Sequence, residues 1–152
     1  MAQYVEAWTP ELQEVSPVPS HSSWVDEEVE VSVATFQAYQ ILYYSFTGLM
    51  AIAGLDKFLH LLSTWDQYVS PGMASFLHMS VGSVTVLAGV IELIAAVTVA
   101  LKPRIGSWVV TVWLWSIVAN LLLLSAHFDL VLMNLMLSAA GLAFTRLSAE
   151  CN

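Results

Sequence analysis

ASFLHMSVGSVTVLAGVIELIAAVTVAL, residues 74–101, carries Glu92 as its only Asp, Glu, Lys or Arg and closes on Lys102, Pro103 and Arg104. An α-helix rises about 1.5 Å per residue, so about 20 apolar residues cross the roughly 30 Å hydrocarbon of a bilayer. The stretch is long enough to do this. Lipid offers no partners to free backbone groups, so the crossing element has to be a helix.

Three more apolar segments flank it, at residues 35–62, 105–126 and 129–147. The turns between them are short. Residues 63–73 hold Trp65, Tyr68 and the Pro71-Gly72 pair, 102–104 are Lys-Pro-Arg, and 127–129 are His-Phe-Asp. Short turns join antiparallel neighbours. The expected fold is all-α: a polytopic membrane protein built as an antiparallel, up-down-up-down four-helix transmembrane bundle over 35–147. A five-residue C-terminal tail at 148–152 completes it. Composition agrees, with 58% hydrophobic and 11% charged residues in a chain of 152. A soluble domain of that size cannot hide so much apolar surface.

The net charge of −8 comes almost entirely from residues 1–34, which hold Glu6, Glu11, Glu14, Asp26, Glu27, Glu28 and Glu30 and no Lys or Arg. With Pro10, Pro17 and Pro19, this stretch reads as a flexible acidic cytoplasmic tail. Its charge argues against nucleic acid and against an anionic membrane surface as partners. Trp8 and Trp24 in the tail are candidate anchors for a partner protein, or interface residues. No signal peptide is recognisable, so the first spanning segment is expected to serve as an uncleaved insertion signal. Lys102, Arg104 and Arg146 mark one side of the bundle. By the positive-inside rule, that side and both termini face the cytoplasm.

Ionisable groups within membrane segments are costly and point to function. Asp56, Lys57 and His60 lie in the first segment, and His78 and Glu92 in the second. Asn120 and Asn134 add amides in the third and fourth. Asp56 and His60 are one turn apart, and Lys57 is three residues from His60. Depth counting gathers Asp56, His60, His78, His127 and Asp129 at one end of the bundle, with Asn120 close by. It places Glu92 roughly 18 Å below Asp56, either beside a donor from another helix or protonated. The candidate pocket is thus Asp56, Lys57, His60, His78, Glu92 and Asn120. A quinone headgroup, a proton relay, a metal, or a haem clamped by His60 and His78 are the functional readings. A structural Asp56, Lys57 and His60 network is the plain one.

Gly48, Ala51 and Gly54 in the first segment and Gly82, Ala88 and Gly89 in the second permit close helix approach, and Trp108, Trp113 and Trp115 read as packing or interface residues. Zinc-protein and nucleotide motifs are absent, and no metal site is expected. Cys151, the sole cysteine, excludes an intramolecular disulfide or a C-x-x-C pair. No catalytic residue can be assigned from the sequence.

Gly54-Leu55-Asp56-Lys57-Phe58, followed by Trp65 and Tyr68, resembles the DoxX-like membrane proteins. The likeness continues through Gly89-Val90-Ile91-Glu92, the stretch from Ala100 to Gly106, and Trp113-Leu114-Trp115 with Asn120. It covers residues 40–147 and leaves out the acidic tail. The resemblance implies a four-helix protein of the bacterial cytoplasmic (inner) membrane. It also implies a small membrane subunit of a quinone-linked redox complex, with no intrinsic cofactor and quinone as the ligand. The alternatives are a non-catalytic assembly subunit that docks a protein partner through its acidic tail, and a small proton-coupled carrier using Glu92. A protein partner or a homo-oligomer is expected beside the lipid bilayer.

Overall fold

A computed structural model describes the backbone of residues 21–151 and the side chains of residues 33–151. Among the described residues the chain is helical, with five α-helices and one 3-10 turn. These are α1 (His21–Leu59), the 3-10 turn Trp65–Tyr68, α2 (Pro71–Leu77), α3 (Val81–Leu101), α4 (Pro103–Leu124) and α5 (Phe128–Cys151). The chain divides into two units, Met1–Val33 and Ala34–Asn152. In the first, residues 21–33 are helical, so part of the stretch read as a flexible tail has regular backbone. The expectations for Trp8, for the prolines and for most of the tail fall on residues outside those described.

In the second unit, local chemistry sets the helix limits. Ser80 caps α3 by accepting a hydrogen bond from the Ser83 amide (3.2 Å). Ser70 caps α2 in the same way through Met73 (3.1 Å), with Pro71 in the first turn. Pro103 opens α4 and leaves only Lys102 between α3 and α4. The segment expected at 74–101 is therefore two helices. His78 adopts a left-handed conformation (φ 53°, ψ 39°) and ends α2, and α3 starts afresh at Val81. Hydropathy runs straight through this break because Phe76, Leu77, Met79 and Val81 are all apolar. At the other end of the chain, α5 continues to Cys151, so residues 148–151 extend the fourth segment instead of forming a tail.

Three of the helices, α3, α4 and α5, are long and apolar enough to cross a membrane. The expectation of four such helices is met in part, since α1 does not reach that standard. Gln37, Gln40, Tyr43, Tyr44, Ser45 and Thr47 dilute it, and Asp56 and Lys57 sit near its end.

The core lies where α1, α3, α4 and α5 meet: Phe46 and Met50, Ala95, Ala96 and Val99, Val110 and Leu114, and Phe144. Phe46 stacks on Phe144 with ring centres 5.7 Å apart. Partners along α3 descend as α1 ascends. The Tyr43 hydroxyl donates to the Ala100 carbonyl (3.0 Å), and Gly54 lies against the carbonyl of Gly89. The two helices are thus antiparallel. A Cβ on Gly54 would lie 3.0 Å from that carbonyl, and one on Gly89 would lie 2.9 Å from the Phe58 ring. Of the glycines read as permitting close approach, Gly54 and Gly89 sit at one, whereas a Cβ on Gly48 would meet nothing within 4 Å. Ser107 and Ser148 share a hydrogen bond (3.3 Å) that places the start of α4 beside the end of α5.

Candidate functional site

Asp56 and Lys57 follow one another on α1 but serve different tasks. Both are buried, at 3% and 7% exposure. Lys57 reaches across to α3, its Nζ 2.7 Å from Glu92 Oε2. The other Glu92 oxygen accepts the Trp113 indole N–H of α4 at 3.2 Å. The Trp65 ring, from the 3-10 turn, lies over the ammonium with 3.8 Å from Nζ to the ring centre. A cation over an indole face is attracted by the ring quadrupole, and more strongly when desolvated. Three helices and one turn therefore converge on a single buried ion pair.

Asp56 turns the other way, toward the loop after α1. Its Oδ1 accepts the amides of Leu61 (2.9 Å) and Leu62 (2.8 Å). Its Oδ2 accepts the Ser63 amide (3.2 Å) and the Trp65 indole N–H (2.7 Å). Trp65 is thus held by its N–H on Asp56 and holds Lys57 with its face. Two further staples fix the same loop. The Thr85 hydroxyl on α3 donates to Asp66 at 2.6 Å. Asn120 on α4 donates to the Tyr68 carbonyl (2.6 Å) and accepts from the Ser70 amide (3.0 Å).

The six candidate residues accordingly separate. Asp56, Lys57 and Glu92 come together, and Asn120 belongs to the same assembly through the loop it anchors. His60 and His78 do not join it. Both are exposed and sit at helix ends with φ near 53°, and His127 shares that backbone at 57°. Left-handed backbone at a chain reversal accounts for these histidines. Asn134 bonds back within its own helix, to the Leu130 carbonyl (2.8 Å). Among the described residues no three His, Cys, Asp or Glu side chains are grouped as metal ligands would be.

Depth counting misplaced Glu92. The count started at residue 74, whereas α3 starts at Val81, and the Gly54 and Gly89 crossing sets those two turns level. Glu92 is one turn beyond the crossing, within reach of the Lys57 side chain. The donor from another helix, one of two alternatives for Glu92, is what the structure contains. Sequence reasoning missed Trp65 and Trp113 as hydrogen-bond donors, and the Asp66 and Thr85 pair altogether. An acid with no partner on its own helix was the signal that could have led to indole donors elsewhere.

The fold and the site define a class: a membrane protein with three apolar helices and a buried charge cluster stapled beneath one loop. No family model, curated protein or solved structure matches the chain.

Proposed function

We propose that the chain is a DoxX-like protein of the bacterial cytoplasmic membrane. In this reading α1 completes a four-helix transmembrane bundle, and the protein serves as a small membrane subunit of a quinone-linked redox complex. Its own part in that complex is structural. The observation that carries the structural role is the closed accounting of the polar cluster. Asp56, Lys57 and Glu92 are engaged with one another's helices, with indoles and with the loop. Among the described residues no buried side-chain polar atom lacks a partner. A catalytic pocket normally keeps groups aimed at a ligand.

Two features support α1 as the fourth span. Among its described side chains, Asp56 and Lys57 are buried and hydrogen-bonded within the protein instead of facing lipid, and Ile41, Leu49, Ile52, Leu55 and Leu59 are exposed. The orientation rests on the bases. Lys57 is used internally, whereas Lys102, Arg104 and Arg146 are exposed at the end where α4 begins and α5 closes. Positive residues beside spans favour the cytoplasmic side, which puts both chain ends there too. A ligand-binding reading places a quinone headgroup near Lys57, whose ammonium lies under the Trp65 ring.

Purification of the tagged full-length protein from native membranes in mild detergent separates these readings. Co-purifying proteins are identified and the extract is assayed for quinone and haem. A stoichiometric redox partner, retained with Trp65→Phe and carrying its own centre, is the expected result. Quinone held by this chain alone, and lost in Lys57→Met, would replace the structural role with a binding one. Recovery of the chain without partner or cofactor would sink the redox-subunit reading.

A further inference from the structure

The two chain reversals flanking the 3-10 turn combine exposed apolar side chains with backbone amides that bond within the protein. After α1, Leu61 and Leu62 are 77% and 73% exposed. On α2, Phe76 is 78% exposed. Loop tips in water are ordinarily polar, and their amides are hydrated. Here the four successive amides from His60 to Ser63 all have protein acceptors: the Asp56 carbonyl for His60 (2.7 Å), then the Asp56 carboxylate for the rest. Around α2, Met73 donates to the Ser70 hydroxyl, Ala74 to the Ser70 carbonyl, His78 to the Ser75 carbonyl and Met79 to the Ala74 carbonyl. Backbone donors satisfied wholly from within are dispensable in water and obligatory in lipid.

Ile52, Leu55 and Leu59 follow helical spacing on the exposed face of α1, and the exposed Leu61 and Leu62 come directly after its end. We propose that this loop end is immersed, with Leu61, Leu62 and Phe76 resting on acyl chains at the membrane boundary. The occupant of the surface is the bilayer. Asp56 then has a second duty: its carboxylate replaces the water that the turn would otherwise need. His60 and His78, exposed beside these apolar residues, are amphipathic and suit the headgroup level. Gln67, exposed on the 3-10 turn beside Asp66, marks the watery side of the same loop.

The inference rests on the membrane placement of the helices, and the test keeps the two apart. Cys151 is the only cysteine, so C151S provides a blank background for single reporters. L62C and F76C probe the proposal, V112C reports the exposed face of α4, and Q67C reports water. Each is labelled with a fluorophore in vesicles containing acyl-brominated lipid, and separately exposed to a charged maleimide. Quenching of V112C, L62C and F76C, with maleimide reaction several-fold slower than Q67C, is the expected result. Quenching of V112C alone, with L62C and F76C as reactive as Q67C, overturns the immersion while leaving the membrane placement intact. An unquenched V112C overturns both. Shielding of L62C and F76C from maleimide without quenching also overturns it, and assigns the surface to a second copy of this chain. L62C and F76C lie in separate elements, so a misfolded variant at one leaves the other to decide.

Discussion

The two ends of the bundle are built on opposite principles. At the loop end, one residue from each of three helices fastens the same connection: Asp56 from α1, Thr85 from α3 and Asn120 from α4. At the other end, α3 and α4 are joined through Lys102 alone, and Gly106 lets α4 pass directly over the backbone of Thr98 and Val99. The bases there, Lys102 and Arg104, are exposed. A tight turn needs no polar staples, because its length already fixes the geometry. The eleven-residue connection at 60–70, running back across three helices, is fixed by what it binds, since the entropy of ordering it has to be offset. Polar groups were therefore placed under the long loop, and a missing side chain under the short turn.

This contrast can be broken most severely at the ion pair. Glu92→Ala or Lys57→Ala leaves an uncompensated buried charge, and each is expected to cost about 3–5 kcal/mol. The double variant Lys57→Met with Glu92→Leu is expected to recover most of that loss, because both charges leave together. Unfolding in mixed micelles measures all three. Equal instability of the double variant would show that the pair itself, and not the orphaned charge, holds the loop end.

The tight end is tested by Gly106→Ala. Its Cβ would fall on the main chain of α3, where nothing flexible can give way, and a loss of about 1–3 kcal/mol is expected. Gly48→Ala is the internal control, since a Cβ there meets nothing within 4 Å and unfolding should be unaltered. If both variants behaved alike, the close approach at Gly106 would not be what sets the turn.

The gentlest change is Trp65→Phe, which keeps an aromatic face for Lys57 and removes the N–H donated to Asp56. About 1 kcal/mol is expected. The sharper readout is proteolysis of residues 60–70 in detergent, which should accelerate while the helices stay resistant. Unchanged cleavage would mean that the amides on Asp56 hold the loop without Trp65.

Much of the fold is legible because hydropathy is a local property. Residues 105–126 and 129–147 stand within a few positions of α4 and α5. The three histidines that drew attention as chemistry sit at chain reversals with left-handed backbone, a placement that residue type alone does not reveal. The break at His78 escaped notice for a related reason: hydropathy measures burial in lipid, not the dihedral angles of one residue.

What the sequence alone determined is the all-helical, membrane-adapted character of the chain, the concentration of its negative charge before residue 35, and the small set of polar residues that lipid would not tolerate unpaired. Only the tertiary structure decided how those residues pair. Lys57 meets Glu92, and Asp56 meets the loop, because Gly54 and Gly89 let α1 and α3 cross closely enough to set those turns level. Periodicity fixes the face of a helix on which a charge sits. Its partner depends on the crossing of two helices that lie far apart in the chain.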